Sequence, residues 1–133
     1  MRFLGIDYGE KRVGLAISDE SGKMAFPDQT LPNNKNLIGE IASICEKKEI
    51  ERVIIGESRD YSGKPNAIMK EAEEFSVSLA KATGLNVINE PEFLTSHQAS
   101  KIQGGSNQID ASAATIILQS HLDKLNLKNQ NGK

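Results

Sequence analysis

The change of hydrophobic period along the chain constrains its fold more than any other feature. Residues 2–7 and 12–19 have strand-like patterns joined by a tight Gly-Glu-Lys turn, and a third antiparallel strand is predicted around residues 23–30. Beyond residue 34 the apolar residues recur at helical spacing and then alternate with short apolar runs. The resulting order, β-β-β-α-β-α-β-α-α, predicts an α/β fold with a mixed five-stranded sheet and helices on both faces.

The later segments are bounded by residues that begin or end helices and strands. Pro65 suits the first turn of a helix, and Thr83-Gly84 suits its end. Pro27 places the third strand at an edge of the sheet or ends it early. The predicted segments are a helix over 37–45, a strand over 51–56, a helix over 65–83, a strand over 85–88, a short helix near 95, a loop at 104–107 and a last helix that Asp110 caps or begins.

Composition and charge set broad limits on function. The chain has 133 residues, a net charge of −2 and a pI near 5.7. This length suits a single domain over residues 1–133 with its own hydrophobic core. The charge balance is not that of a globally basic nucleic-acid binder, although a local cationic patch can serve on a nearly neutral protein.

The cysteine content and the hydropathy pattern indicate the compartment. Cys45 lies on the apolar face of the first predicted helix, where we expect a buried and inert thiol. The sequence has no charged-then-apolar leader and no run of about 18 apolar residues. We therefore expect a cytoplasmic protein that makes no membrane contact.

Three carboxylates stand at the ends of predicted elements. Asp7 ends the first strand, Glu92 lies just past the last strand, and Asp110 lies at the start of the final helix. The carboxyl ends of neighbouring parallel strands share one rim of a sheet, and a helix N-terminus can reach the same rim. Three carboxylates gathered there repel one another unless a cation neutralises them. Their hard oxygen ligands suit Mg²⁺ or Mn²⁺, and two such ions are the usual means of phosphodiester hydrolysis.

Each of these carboxylates also has a purely structural interpretation. Asp110 can act only as a helix N-cap, and Glu90 and Glu92 can be solvated loop charges. Asp7 is the hardest to explain in this way, because the glycines two positions before and after it fit a backbone kept bare for a ligand.

Three stretches of the sequence resemble motifs of one known family. The opening stretch, GIDYGEKRVGLAISD, resembles the DxGxKRxGxAxSD motif of the YqgF/RuvX proteins. Two later stretches, PEFLTSHQA and IDASAATIILQSHLD, are similar to that family's DERLTTxxA and VDxxAAxxILQxYLD segments. The resemblance covers nearly the whole chain in the right order and spacing. It implies an RNase H-like nuclease fold and a role in processing the ends of precursor ribosomal RNA, with Holliday junction resolution as the rival assignment.

The resemblance also assigns roles to particular residues. It matches Asp7, Glu92 and Asp110 to the family's three catalytic carboxylates, which bind the metal ions. The glutamate of the DERLTT segment falls on Glu92, so Glu90 becomes an off-site neighbour. The resemblance therefore implies that all three metal ligands are present.

The positive charge available to a phosphate backbone is where the chain departs from the family. Lys11 and Arg12 lie past the first turn, where they can meet a phosphate, although Arg12 can equally be a surface charge on a hairpin. Pro91 and Phe93 replace the aspartate and arginine that flank the motif's glutamate, and Glu57 stands where an apolar residue is expected. The usually basic loop before the last aspartate has the sequence QGGSNQ. These changes are expected to affect the binding of the substrate more than the metal site.

We therefore predict a metal-dependent endonuclease, a hydrolase that acts on structured nucleic acid with RNA favoured over DNA. Precursor ribosomal RNA is the favoured substrate, and the ribosome or its precursors are expected partners of a monomer or homodimer. The alternatives are a Holliday junction resolvase-like DNA nuclease, which a dimer would favour, and a catalytically weak nucleic-acid-binding or ribosome-assembly module. A sugar-kinase or actin-type phosphate-binding half also fits the Asp-Tyr-Gly turn, but such enzymes need two domains and this chain supports one.

Overall fold

The described part of the chain contains five strands and three helices. A computed structural model describes residues 1–57, 67–91 and 106–131. The elements are β1 (Arg2–Tyr8), β2 (Arg12–Ser18), β3 (Ala25–Pro32), α1 (Leu37–Lys47), β4 (Ile50–Glu57), α2 (Ala67–Thr83), β5 (Asn86–Pro91) and α3 (Ser106–Asn131). The short helix predicted near residue 95 lies outside the described residues.

The strands form one mixed sheet with β1 at its centre. The strand order is β3-β2-β1-β4-β5. The first three strands form an antiparallel meander, whereas β1 pairs in parallel with β4 and β4 pairs in parallel with β5. The predicted mixed five-stranded sheet is therefore confirmed. So is the edge position of β3, which tolerates Pro27 because an edge strand can lose one backbone donor.

Alternate residues of the central strand face two different helical layers. Leu4, Ile6 and Tyr8 belong to a hydrophobic cluster that also contains buried residues of α1 and α2. Phe3 belongs to a second cluster, whose helical members come from α3. Because side chains alternate along a strand, Gly5 and Asp7 share the α3 face with Phe3. The prediction of helices on both faces is confirmed.

Helix α3 packs unusually close to β1 and runs in the opposite direction. A Cβ atom added at Gly5 would lie 2.6 Å from the Leu118 Cβ and 3.0 Å from the Ala114 carbonyl oxygen. The Phe3 ring lies 6.2 Å from the His121 ring. Moving two residues towards the carboxyl end of β1 therefore corresponds to moving about one turn towards the N-terminus of α3, because both distances are roughly 6 Å. The N-terminal end of α3 therefore lies towards the carboxyl end of β1.

The start of α3 differs from the prediction. The helix begins at Ser106, so the second half of the predicted 104–107 loop is helical and Asp110 is the fifth helical residue. The N-cap interpretation of Asp110 is therefore wrong. Serine is favoured at helix starts, and nothing between Ser106 and Asp110 breaks a helix. Although α3 has 26 residues, no helix in the described ranges is both long and apolar enough to span a membrane.

Strand β5 is longer than the predicted segment, 85–88. It continues through Pro91 because its backbone stays in register with β4, pairing Gly56 with Glu90 and Glu57 with Pro91. Glu90 therefore lies in a strand, and its interpretation as a solvated loop charge is wrong. The β3 segment is shifted in a similar way, since residues 19–24 form a turn in which Asp19 accepts hydrogen bonds from the Lys23 and Met24 N–H groups.

Candidate active site

Asp7 lies in a row of the sheet in which both neighbouring positions are glycines. Asp7 pairs with Gly14 of β2 and with Gly56 of β4, and Gly56 in turn pairs with Glu90 of β5. We call these four residues the Asp7 row. Gly14 and Gly56 are buried and lack a side chain, so half-buried Asp7 is the member of this row on β1, β2 and β4 that carries one. A carboxylate is a hard oxygen ligand of the kind that Mg²⁺ and Ca²⁺ prefer.

The packing of α3 directs its first turns towards this row. Leu122, Leu118 and Ala114 are buried and recur every four residues. Continuing the same spacing by one turn reaches Asp110. Since Gly5 contacts Leu118 and Ala114, the next residue of β1 on that face, Asp7, lies towards the part of α3 that contains Asp110. The fold thus brings the backbone positions of two predicted ligands to one end of the sheet.

The third predicted ligand follows the edge strand of the same rim. Pro91, the last residue of β5, lies one step past the Asp7 row, and Glu92 is the next residue in the sequence. Glu92 itself lies outside the described residues, and the side chain of Asp110 is not described. Among the side chains that are described, no three His, Cys, Asp or Glu residues form a group that could hold a metal ion. The convergence of Asp7, Glu92 and Asp110 therefore stays a prediction.

The predicted phosphate-binding residues are presented by a rigid turn beside Asp7. Lys11 and Arg12 are both exposed. Asn33 holds the turn from the end of β3: its Nδ2 donates to the Gly9 carbonyl at 2.8 Å, and its backbone N–H donates to the Lys11 carbonyl at 2.9 Å. These bonds fix the turn on the same rim of the sheet. The structure does not show whether a phosphate binds there, so the role of the two cations stays a prediction.

The glycines around Asp7 have a structural explanation that the sequence interpretation missed. A Cβ at Gly9 would collide with the Arg12 carbonyl oxygen, so glycine is needed to close the turn. The missing Cβ of Gly5 makes room for α3. The two glycines predicted to keep the backbone bare for a ligand thus serve the turn and the helix, whereas the bare positions beside Asp7 are Gly14 and Gly56.

Glu90 makes a buried contact that was not anticipated from the sequence. Its Oε1 lies 2.7 Å from His121 Nδ1 on α3, and its Oε2 lies 3.5 Å from Lys124 Nζ. Only 18% of the Glu90 side chain is exposed. The sequence did place Ile88 and Glu90 two residues apart, as on one face of a strand. This was missed because the strand was predicted to end at residue 88.

Cys45 lies on the opposite side of the sheet from Asp7. It is buried in the cluster formed with α1 and α2, as predicted. Burial raises the pKa of the Cys45 thiol to about 11, because the thiolate would lose its hydration there. Its predicted lack of reactivity remains to be measured.

Comparison with known sequences gives consistent relatives over nearly the whole chain. Residues 1–124 match the sequence profile of the RuvX family, described as Holliday junction resolvase. A protein of Syntrophus aciditrophicus is 35% identical over 135 residues, covering 94% of this chain and 90% of that protein. A protein of Nitratidesulfovibrio vulgaris is 32% identical over 133 residues, covering 92% of this chain and 94% of that protein. Both carry the name "Putative pre-16S rRNA nuclease".

Solved structures with the same fold confirm the RNase H-like architecture. Thermus thermophilus RuvC in complex with Holliday junction substrate has a TM-score of 0.65 at 16% identity, covering 94% of this chain and 96% of that one. The fowlpox virus Holliday junction resolvase has a TM-score of 0.59 at 13% identity, covering 93% and 99%. At these identities the similarity shows the fold alone. The profile match over residues 1–124 shows more: the chain belongs to the RuvX family.

Proposed function

We propose that this chain is a metal-dependent endonuclease that cleaves structured nucleic acid, with residues 1–133 forming a single nuclease domain. The observation that carries the proposal is the Asp7 row. A carboxylate on the central strand stands between two glycines, at the end of the sheet towards which α3 brings Asp110. Glycines beside a carboxylate permit close approach of a ligand to the backbone, which supports a role for Asp7 in binding.

The donor chemistry of the site fits a hard divalent cation. Asp7, Glu92 and Asp110 would hold Mg²⁺ or Mn²⁺, as two ions, because oxygen-only ligand sets suit these metals and three neighbouring carboxylates need neutralising charge. When bound, the ions would supply an activated water and stabilise charge on the leaving oxygen. The protein itself supplies the small neighbours of Asp7, Gly14 and Gly56, and the turn that presents Lys11 and Arg12.

Precursor ribosomal RNA is the substrate that we favour. The family relatives named pre-16S rRNA nuclease support this assignment, and it places the protein in the cytoplasm with the precursors of the ribosome as its partners. In this proposal Lys11 and Arg12 contact the phosphate backbone, since both are exposed on a turn next to the Asp7 row. The second candidate is cleavage of branched DNA, favoured by the RuvX description and by the likeness to RuvC.

The decisive experiment compares two substrates and three proteins. Wild type, Asp7→Asn and the control Asp28→Asn are incubated with end-labelled precursor 16S RNA and with a four-way DNA junction, in Mg²⁺, in Mn²⁺ and in chelator. Asp28 is a suitable control because it lies on the edge strand β3, away from the Asp7 row. Asp7→Asn keeps the shape of the side chain but removes its charge.

We expect wild type and Asp28→Asn to cut RNA only with metal present, and Asp7→Asn to be slower by at least about 100-fold while it still binds RNA. Preferred cutting of the junction by a dimer would establish the resolvase alternative instead. If all three proteins bind RNA and none cuts either substrate, the binding-module interpretation replaces the enzyme.

A further inference from the structure

The pair formed by Glu90 and His121 links the far edge of the sheet to α3. The Glu90 carboxylate lies 2.7 Å from His121 Nδ1, which is a short hydrogen bond between residues 31 positions apart. The His121 side chain is 10% exposed and the Glu90 side chain 18%. Lys124 also approaches Glu90, at 3.5 Å, but its side chain is 68% exposed. The first contact is therefore largely shielded from solvent and directional, and the second is a solvated ion pair of little energetic weight.

This pair is not explained by core packing. His121 lies among apolar residues, beside the Phe3 ring and next to the fully buried Leu122. Its Nε2 atom is buried and has no hydrogen-bond partner. An unsatisfied buried polar atom costs about 1–3 kcal/mol. A hydrophobic side chain at this position would avoid that cost, so the polar pair needs another explanation than stability.

The elements that the pair connects suggest its role. Glu90 belongs to the Asp7 row and stands two residues before Glu92, whereas α3 carries Asp110. Helix α3 packs mainly over β1, β2 and β3 and less over β4. Strand β5 therefore lies beyond the strands that α3 covers most, and the Glu90–His121 hydrogen bond ties the two elements directly.

We propose that Glu90 and His121 are positioning residues, which fix the carboxyl end of β5 against α3, the helix that carries Asp110 nearer its N-terminus. This inference rests on the proposed function, because Glu92 and Asp110 must approach each other to share metal ions. In the VDxxAAxxILQxYLD motif quoted above, the position of His121 is a tyrosine, so the sequence motif alone did not indicate the pair. The pair acts through these elements and contacts neither metal nor substrate.

The test uses four variants of the full chain. His121→Ala and Glu90→Ala each remove the hydrogen bond. His121→Asn is the rescue variant, because its side-chain amide nitrogen takes the place of Nδ1 and can donate to Glu90. Lys124→Ala is the matched control on the same helix, since it removes only the exposed ion pair. Mn²⁺ affinity is measured by calorimetry, cleavage gives kcat and KM separately, and thermal melts confirm that each variant is folded.

We expect His121→Ala and Glu90→Ala to bind Mn²⁺ about tenfold more weakly, as when a supporting hydrogen bond near a metal site is lost. In both variants kcat should fall, with KM for the nucleic acid within about twofold of wild type. His121→Asn should recover most of the Mn²⁺ affinity, and Lys124→Ala should match wild type. A purely structural pair would lower the melting temperature and leave the Mn²⁺ affinity of the folded protein unchanged, and that result would overturn the proposal.

Two further outcomes separate this inference from the proposed function. A loss confined to Glu90→Ala would mean that the carboxylate acts through its charge, so the positioning role would be wrong. If Asp7→Asn abolishes Mn²⁺ binding while the variants of the pair leave it intact, the nuclease proposal stands and the positioning proposal fails. If wild type binds no Mn²⁺ and cuts nothing, both proposals fail together.

Discussion

The substitution Gly5→Ala tests whether the close packing of α3 against β1 is needed to position the candidate site residues. The new Cβ would lie 2.6 Å from the Leu118 Cβ and 3.0 Å from the Ala114 carbonyl oxygen. Two carbons in ordinary contact are about 3.5–4.0 Å apart, so the helix must move away by roughly 1 Å. Neither obstacle can rotate aside, because one is a Cβ atom and the other belongs to the helix backbone.

The expected magnitudes follow from this displacement. Overpacking of a well-filled core costs about 1–3 kcal/mol, and alanine in a strand recovers about 0.5–1 kcal/mol of backbone entropy relative to glycine. We therefore expect a net loss of about 1–2 kcal/mol. For a domain of this length each kcal/mol lowers the melting temperature by about 4 °C. A shift of about 1 Å in a supporting element can reduce the rate of catalysis by roughly 100-fold.

Gly39→Ala provides the matched control for the same chemical change. Gly39 lies inside α1 on the other side of the sheet, and no atom lies within 4 Å of an added Cβ. Alanine there should stabilise the protein by up to about 1 kcal/mol, through its helix propensity. The assays are thermal unfolding, Mn²⁺ calorimetry and cleavage of precursor RNA. A Gly5→Ala protein with the melting temperature and Mn²⁺ affinity of wild type would refute the packing argument. A protein that is less stable but binds Mn²⁺ normally would refute the link between the packing and the site.

Three further predictions concern the basic turn, the acid stability and the thiol. Arg12→Ala should weaken RNA binding and reduce the slope of log affinity against log salt by about 1, with the Mn²⁺ affinity unchanged; an unchanged slope would show that Arg12 meets no phosphate. The Lys23 N–H donates to Asp19 and, with the Ser21 hydroxyl and the Met24 N–H, holds the pKa of Asp19 below its usual value. The ionised Asp19 therefore stabilises the protein above the pKa that Asp19 has in the unfolded state. This contribution is lost as the pH falls through the lower pKa of the folded state. Unfolding curves measured from pH 7 to pH 2 should therefore show a smaller acid loss for Asp19→Asn than for wild type, and parallel curves would contradict this. Burial raises the pKa of Cys45 to about 11, so a disulfide reagent at pH 8 should label the native thiol far more slowly than the unfolded one, and equal rates would show an accessible thiolate.

The order of the elements and the position of Asp7 were predictable because they depend on local patterns. Strand alternation and helical spacing are properties of neighbouring residues, and the carboxyl end of the first strand follows from its last apolar position. The parallel pairing of β4 with β5 follows in turn from α2, the helix between them. For this reason the rim of the sheet that carries the candidate site could be named before the structure was known.

The contact of Glu90 with His121 was not predictable, because it depends on a partner far away in the sequence. The residues Asn89, Glu90 and Pro91 have little strand propensity, yet pairing with β4 keeps them in the sheet. Pro91 is tolerated because β5 is an edge strand and because the proline is its last residue. Only then does Glu90 point to the α3 face and meet His121. The start of α3 at Ser106 was missed because the first turn of the helix is polar and shows no apolar residues at helical spacing.

The α3 face of the sheet carries both tightly packed core residues and the candidate site. Along β1 this face presents Phe3, then Gly5, then Asp7. The absent side chain at Gly5 lets the helix approach as closely as its backbone allows, and Leu118 fills the space. One row further on, Gly14 and Gly56 again lack side chains, but here a carboxylate stands between them. An ionised carboxylate is costly to bury under an apolar side chain, so this row suits the proposed cation better than an apolar residue of the helix. Glycine therefore lets α3 approach the sheet closely at Gly5 and leaves Asp7 as the side chain of its row on β1, β2 and β4.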